Sequence, residues 1–209
     1  MAYHQPFQIT GFHSCDRDVG LRVLNGGDQL KASDNPWDWL GGGVYFWEQN
    51  PARALEYATD CATGKQKNKT PIINPFVIGA IIELGNCLNL IEPQSINIVK
   101  EAHKALEEMI IEGKEVMPVN KGANRMLDCA VIQYVHEINK RSERFDLKPY
   151  DTIRSAFVEG KPIYPGSNFT DRLHIEICVI NTDLIKGYFL PRQIDEFNPY
   201  IKTDFVKPA

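Results

Sequence analysis

Three consecutive glycines, Gly41 to Gly43, lead directly into four residues of strand character, Val44 to Trp47, and then into a helix. Asn50 and Pro51 suit the start of that helix: an Asn side chain accepts a backbone N–H at the capping position, and Pro has no N–H to leave unpaired. A tight turn, a strand and a capped helix in succession restrict this part of the chain to few backbone conformations. The rest of the sequence is therefore interpreted around this unit.

The remaining pattern mixes strand and helix signals along the chain. Strands are predicted at residues 7–12, 76–84, 173–180 and 188–190, from alternating or continuous apolar runs. Helices are predicted at 16–24, from a cap at Ser95 to Gly113, and at about 124–139. The last two make a helical insertion at about 95–145 in a single α+β domain spanning 1–209.

Two segments without regular periodicity also carry expectations. Residues 30–40 are polar and rich in turn formers, so they are interpreted as an ordered loop. Trp37 and Trp39 within it are expected to pack on the core or to roof a cleft, because exposed tryptophans are costly. The last twelve residues, 198–209, are interpreted as a loose tail.

Composition narrows the function classes. The chain has 209 residues, a net charge of -4 and a pI of about 5.8, so no global positive field indicates nucleic acid or an anionic membrane as a permanent partner. Five cysteines without a Cys-x-x-Cys pair disfavour a disulfide framework or a structural zinc site, and no metal is expected. With neither a signal peptide nor a membrane-length apolar run in sight, a cytoplasmic location is expected.

Three polar residues lie in strands whose flanking pattern is apolar: His13, Tyr45 and Glu176. Taken singly, each has an ordinary structural interpretation. His13 could be a surface residue, Tyr45 a common β-former, and Glu176 a solvent-facing carboxylate on a half-exposed strand. Their order along the chain, and the residues that accompany them, favour a shared site.

The chain carries, in sequence, His13, a Gly-Val-Tyr-Phe strand, a helix with Tyr57, a Glu-Leu-Gly-Asn turn after a buried strand, and Glu176 on a late strand. In this order it resembles ADP-ribosyltransferases of the diphtheria-toxin and poly(ADP-ribose)-polymerase type, the His-Tyr-Glu class. The resemblance covers the first 90 residues and again about 150–180. It implies a split antiparallel β-sheet flanked by helices, with NAD as co-substrate.

The resemblance also implies roles for individual residues. His13 would bind the adenosine ribose of NAD, Tyr45 would stack on the nicotinamide ring, and Glu176 would be the catalytic carboxylate. Ser14 and Cys15 stand where the family has the residues that hold the nicotinamide amide, which is a departure in residue type. Tyr57 would offer a second aromatic face, one residue beyond the family spacing.

The loop 159–171 precedes the predicted catalytic strand, and in the family the equivalent loop recognises the target. It carries Lys161, Tyr164, Asn168 and Phe169, with Arg172 directly after it. Aromatic residues among polar ones could stack a base or hold a side chain. A thirteen-residue loop is also longer than a plain connection between strands requires.

The function implied is a mono-ADP-ribosyltransferase that modifies an intracellular macromolecule, resembling a stand-alone bacterial toxin of a toxin–antitoxin or antiphage system, with an antitoxin protein as a possible partner. The acidic pI favours a protein target. The aromatic loop and the basic groups at 65–69 and 140–144 favour RNA or DNA instead. The resemblance slightly favours RNA or DNA over protein. Two alternatives stay open: an NAD glycohydrolase, and a non-catalytic NAD- or protein-binding module of the same fold.

Overall fold

The computed structural model describes residues 8–66, 68, 70–122, 124–141 and 148–208, which form a mixed series of strands and helices, so the predicted α+β class is confirmed. The strands are β1 (Gln8–Asp16), β2 (Val44–Glu48), β3 (Pro75–Glu83), β4 (Cys87–Asn89), β5 (Asn120–Lys121), β6 (Asn124–Arg125), β7 (Thr152–Phe157), β8 (His174–Val179) and β9 (Ile185–Phe189). The helices are α1 (Arg17–Leu24), α2 (Pro51–Thr63), α3 (Pro93–Gly113), α4 (Met126–Arg141) and α5 (Ile194–Phe197). None of the helices in these ranges is long and apolar enough to cross a membrane.

Seven of the strands form one mixed sheet in the order β4-β7-β8-β2-β1-β3-β9, and β5 with β6 forms a separate hairpin. β4 and β7 run parallel, whereas the other neighbours in the sheet run antiparallel. Because β2 and β8 are adjacent, the early turn–strand–helix unit and the late strand meet at the centre of the sheet despite their distance in sequence.

The pairing of β1 is uneven on its two sides. Along β3 it pairs over its whole length, from Gln8 to Asp16. Along β2 it pairs at only two positions, Gly11 opposite Glu48 and Phe12 opposite Trp47. The backbone ladder between β1 and β2 therefore ends at Phe12, just before the residue predicted to bind NAD.

Helices cover both faces of the sheet. On one face, Phe46, Ile78 and Ile177 pack into a core that includes Val23 of α1. On the opposite face, α2 covers one half of the sheet by packing Ala54 against β1, β2 and β3. The α3–α4 pair covers the other half, above β4, β7 and β8. The strip of this face between α2 and the α3–α4 pair, where β2 runs beside β8, is called the central strip below.

The start of α2 confirms the capping prediction. The backbone N–H of Arg53 donates to the Asn50 side-chain oxygen at 3.0 Å, and Pro51 is the first helical residue. The helix ends at Gly64, whose φ of 81° is the left-handed conformation that favours glycine. This turn–strand–helix unit is formed as its sequence predicts.

Helices α3 and α4 lie between β4 and β7, but α3 begins three residues earlier and α4 two residues later than predicted. α3 begins at Pro93 rather than after a cap at Ser95, which is buried within the first turn. A proline at the first position has the φ of a helix and no N–H to satisfy, so it can start the helix without a side-chain cap. α4 begins at Met126, because Asn124 and Arg125 pair with Asn120 and Lys121.

The C-terminal residues are docked, so their interpretation as a loose tail is wrong for the described part, 198–208. Asn198 is fully buried; its side chain accepts from the Val77 N–H at 2.7 Å and donates to the Val77 carbonyl at 3.0 Å. Arg17 donates to the carbonyls of Tyr200 and Thr203. Amide and guanidinium groups fasten this segment, so a search for apolar periodicity did not detect it.

Candidate active site

Glu176 lies in β8, opposite Trp47 of β2 and Ser155 of β7. Residues in register share a face, so its carboxylate is on the central strip between α2 and the α3–α4 pair. The side chain is 14% exposed, and its Oε2 accepts a hydrogen bond of 2.5 Å from the indole nitrogen of Trp39. A carboxylate this enclosed needs such donors, because burying an unpaired charge is costly.

The two tryptophans of the 30–40 loop behave differently. Trp39 is partly buried, packs on Phe157 with ring centroids 4.7 Å apart, and binds Glu176, which fits the expectation of a roof over a cleft. Trp37 is 48% exposed, so the same expectation is wrong for it.

His174 is a second partner of Glu176, which the sequence interpretation missed. Its Nε2 lies 3.1 Å from Oε1 of Glu176, and its Nδ1 lies 2.7 Å from the carbonyl oxygen of Arg172. The alternation of β8 indicated that residues 174 and 176 share a face, and that was the available signal. Glu176 thus has a ring nitrogen within hydrogen-bond distance of each carboxylate oxygen.

Tyr45 lies on the same face, opposite Cys178 and therefore one pair along from Glu176. Its hydroxyl donates to the Gly41 carbonyl at 2.8 Å and accepts from the Leu40 N–H at 3.0 Å. Burial raises the pKa of this phenol far above its usual value, and the charge of Glu176 adds to the shift. The phenol is therefore a fixed, neutral side chain that helps to hold the glycine turn.

His13 stands where the β1–β2 ladder ends. Its Nδ1 lies 2.8 Å from the carbonyl oxygen of Tyr45, and its ring is 5.7 Å from that of Phe46, on the side of the sheet opposite the Tyr45 ring. Burial lowers the pKa of His13, and the hydrogen bond to Tyr45 only partly offsets this. In the part of the chain that the structure describes, Nε2 has no hydrogen-bond partner, so this nitrogen is free to bind a ligand.

The two residues after His13 are enclosed. The Ser14 hydroxyl donates to the Ala54 carbonyl at 2.5 Å and so ties β1 to α2. The Cys15 side chain lies in the core beneath α1, so near Gly20 that a Cβ there would meet its sulfur at 3.1 Å, and burial raises its thiol pKa to about 12. Contacts of these two residues with a nicotinamide amide would therefore have to come from the backbone.

Tyr57 reaches the same face from α2. Its ring is 5.2 Å from that of Trp47, the cross-strand neighbour of Glu176. Burial raises the pKa of Tyr57, and Cys61 and Glu176 contribute further. An aromatic wall formed by Trp47 and Tyr57 thus lies on the α2 side of the carboxylate.

The 159–171 loop is ordered by its own backbone. The Ile163 N–H donates to the Phe169 carbonyl at 3.1 Å, and the Asp171 N–H donates to the Lys161 carbonyl at 3.0 Å. Tyr164 is 56% exposed and Phe169 is 60% exposed, and Asn168 is also exposed. The loop therefore presents two aromatic rings to solvent on a fixed backbone.

Ion pairs fasten both ends of this loop to α2. At its start, Glu159 pairs at 2.5 Å with Arg53, a buried arginine of α2. At its end, Arg172 pairs with Glu56 and, at 3.2 Å, with Asp60. Arg172 was predicted to contact the substrate, but here its guanidinium is occupied by α2 carboxylates, which makes it an anchor of the loop.

Arg125 is a further residue that the sequence interpretation missed. Its guanidinium carbon lies 5.7 Å from the centre of the Phe157 ring, whose other neighbours are Trp39 and His174. Its Nε is buried without a hydrogen-bond partner in the described part of the chain. The positive charge of Arg125 is separated from Glu176 by the side chain of Phe157 and by that of Trp39 or His174. An anionic ligand bound beside Glu176 could contact it.

The structure thus brings Tyr45, Tyr57 and Glu176 to one face, whereas the ring of His13 lies on the opposite face and contacts only the backbone carbonyl of Tyr45. Tyr164, Asn168 and Phe169 lie on the neighbouring loop. Of the basic groups predicted to favour nucleic acid, Lys67, Lys69 and residues 142–144 lie outside the described residues. Across the described ranges, no group of three or more His, Cys, Asp or Glu side chains could hold a metal ion.

Comparison with known proteins adds one relative. No family model matches the chain, and no solved structure matches it. A protein of Methanocaldococcus jannaschii named uncharacterized protein MJ0359 is 25% identical to this chain in an alignment 211 residues long. The alignment covers 92% of this chain and 93% of that protein. The similarity runs along nearly the whole of both chains, and the name states no activity.

Proposed function

We propose that this protein is a mono-ADP-ribosyltransferase that uses NAD as co-substrate. The observation that carries the proposal is Glu176, an enclosed carboxylate whose oxygens are held by Trp39 and His174, one residue pair from the ring of Tyr45. A fixed anion beside an aromatic ring suits the cleavage of a nicotinamide–ribose bond. Positive charge develops on the sugar in that step, as in the oxocarbenium-like transition state of glycoside cleavage.

The finer fold assignment, a split ADP-ribosyltransferase sheet, is part of this proposal. It is supported by the short pairing between β1 and β2, which ends at Phe12. His13 takes the next hydrogen bond with its side chain and keeps Nε2 free. An adenosine ribose hydroxyl of a dinucleotide bound at this opening could donate to Nε2, and the rest of the dinucleotide would cross the opening to the face that carries Tyr45.

Each residue has a separate part in the proposed chemistry. The Glu176 carboxylate, bound to the ribose 2'-hydroxyl, would stabilise the developing charge more than it stabilises the ground state. Tyr45 would stack on the nicotinamide, with Trp47 and Tyr57 closing the α2 side. Nicotinamide leaves as a neutral amine, so no general acid is needed. The acceptor supplies the nucleophile that attacks the other face of the sugar.

RNA or DNA is the acceptor class that we propose. Support comes from the exposed rings of Tyr164 and Phe169, which can stack on bases, and from the guanidinium of Arg125, whose Nε has no hydrogen-bond partner among the described residues and which can bind a phosphate. Asn168 and the exposed Lys161 flank the rings. A role as a bacterial toxin or antiphage effector, restrained by an antitoxin protein, rests on the resemblance alone.

The test is incubation of the purified protein with NAD labelled in the adenylate part, with and without cell lysate, comparing wild type with Glu176→Gln. Glu107→Gln, at an exposed position on α3, is the matched control. Glu176→Gln is expected to lower nicotinamide release by about 10²–10³-fold, the usual cost of removing a preorganised electrostatic group. Glu107→Gln should have no effect, and equal release by all three proteins would contradict the proposal.

The same assay separates the alternatives. Transfer leaves label on a macromolecule that nuclease destroys if the acceptor is nucleic acid and protease destroys if it is protein. Rapid nicotinamide release without lysate indicates an NAD glycohydrolase instead. Binding of NAD without release under any condition indicates a non-catalytic module.

A further inference from the structure

A second residue of β8 is held as closely as the proposed catalytic carboxylate. The His174 side chain is 1% exposed, and its ring lies 6.2 Å from that of Trp47 and 5.5 Å from that of Phe157. A ring enclosed in this way keeps one orientation. The atom that each of its nitrogens faces therefore determines where the protons of the imidazole are.

The Nδ1 atom must carry a hydrogen. It lies 2.7 Å from the carbonyl oxygen of Arg172, and a carbonyl oxygen can only accept. A neutral imidazole has a single N–H, so a neutral His174 would present a lone pair at Nε2.

The Nε2 atom faces a group that also only accepts when ionised. It lies 3.1 Å from Oε1 of Glu176. A lone pair against a carboxylate would be repelled, so this contact is favourable only with a proton between the two atoms. With that proton on Nε2, the two side chains form an imidazolium–carboxylate pair, and Glu176 stays the anion that the proposed function requires. His174 and Glu176 then together hold one proton beyond the Nδ1 hydrogen.

We propose that His174 is the positioning residue of this site: its Nε2 shares one proton with Glu176 and, together with the Trp39 indole on the other oxygen, fixes the plane of the carboxylate. This inference rests on the proposed function of Glu176. Donors on both oxygens leave the carboxylate no free rotation. Its orientation towards the ribose is therefore set before NAD binds, and no reorganisation is needed during the reaction.

Two substitutions of His174 each keep one of its two hydrogen bonds and remove the other. In His174→Asn, the amide can keep the bond to the Arg172 carbonyl but is too short to reach Glu176. In His174→Gln, the amide nitrogen stands near the position of Nε2 and can donate to Glu176, while the Arg172 carbonyl loses its partner. The pair therefore separates a purely structural role from a positioning role.

His174→Asn is expected to lower kcat for nicotinamide release by about 100-fold with KM little changed, because a displaced catalytic group affects the transition state rather than ground-state binding. His174→Gln should restore most of the lost rate. Thermal unfolding of both variants checks the fold. A fully active Asn variant beside an inactive Gln variant would overturn the proposal, since the Arg172 contact would then be the important one.

A second measurement needs no NAD. Nitrogen NMR of the His174 imidazole should show Nδ1 protonated in wild type and in Glu176→Gln, and a proton at Nε2 in wild type that is absent from Glu176→Gln, where no carboxylate stabilises it. An Nε2 resonance that is the same in both proteins overturns the shared proton. If the shared proton is found but wild type releases no nicotinamide under any condition, the transferase proposal fails and the pair stands.

Discussion

Glu176 accepts a hydrogen bond from one indole nitrogen, so substitution of that tryptophan measures what a single donor contributes to the rate. Trp39 and Trp37 are two residues apart in one loop, and only Trp39 reaches the carboxylate. Hydrogen bonds to charged groups contribute about 1.5–3 kcal/mol. The N–H of Trp39 therefore has a part in holding Glu176 that packing on Phe157 cannot replace.

Replacing Trp39 by Phe keeps an aromatic ring beside Phe157 and removes the donor. We expect the rate of nicotinamide release to fall about 10- to 100-fold, corresponding to the loss of one hydrogen bond to a charged group. Trp37→Phe is the matched control, because Trp37 is exposed and makes no hydrogen bond within the described residues. Equal losses in the two variants would mean that the loop as a whole, not the indole N–H, supports the carboxylate.

At the scale of elements, α2 organises the neighbouring loop as well as one side of the site. Arg53 and Glu159 join the helix to the start of the loop, and Arg172 joins the end of the loop to Glu56 and Asp60. Arg53 is 6% exposed, so its charge depends on these partners. Removing one partner of a buried pair is costly because the other charge is left uncompensated.

Glu159→Gln is therefore expected to loosen the loop while the sheet stays intact. Arg53 keeps a contact with Glu56 at 3.3 Å, so the loss should be local rather than global. Chymotrypsin cleavage after the exposed Phe169 should become faster, by about 10-fold for a loss of about 1.4 kcal/mol in local opening. Glu107→Gln serves as the control again, and an unchanged cleavage rate at Phe169 would show that the ion pair does not hold the loop.

The sequence was sufficient for elements whose signals are local. The Asn50–Pro51 cap is formed by neighbours in the chain, and β3 and β8 follow from their apolar patterns. The pairing of β8 with β2 was not predictable from local pattern, because it joins residues that are more than a hundred positions apart. Register within that pair decides which side chains share a face.

The same limit applies to the candidate site. Glu176, Tyr45 and His13 were noticed because polar residues interrupt apolar strands. Trp39 was expected to roof a cleft, but nothing in the sequence indicated its hydrogen bond to Glu176, and Arg125 gave no signal because an arginine in a polar segment is common. The docking of Asn198 on Val77 was missed for a related reason: its partners are backbone groups, which every residue has.

At the scale of the whole molecule, two histidines link folding to pH. Burial lowers the pKa of His13, and burial together with the charge of Lys140 lowers that of His136. The Nε2 of His136 is buried without a hydrogen-bond partner among the described residues, and its ring packs edge-on to Tyr150. Both side chains are therefore held in the neutral form by the fold and take up a proton more readily when the chain unfolds.

This difference fixes the sign of the pH dependence. Above the ordinary histidine pKa of 6.5, neither state is protonated at these positions and the histidines contribute no slope. As the pH falls through 6.5, the unfolded chain binds protons that the folded protein excludes, so the free energy of unfolding decreases. The decrease continues until the lowered pKa values of the folded protein are reached, and each histidine contributes at most about 1.4 kcal/mol per pH unit.

In chemical denaturation between pH 8 and pH 5, the contribution of His13 and His136 should therefore be flat above pH 7 and should lower the stability below it. His136→Gln lies on α4, outside the candidate site, and should flatten the slope while NAD chemistry at pH 8 stays unchanged. His13→Gln should also flatten the slope, and in addition it should weaken NAD binding if Nε2 holds the adenosine ribose. A slope equal to that of wild type in both variants would mean that neither histidine is kept neutral by the fold, and the pH dependence would have to come from other groups.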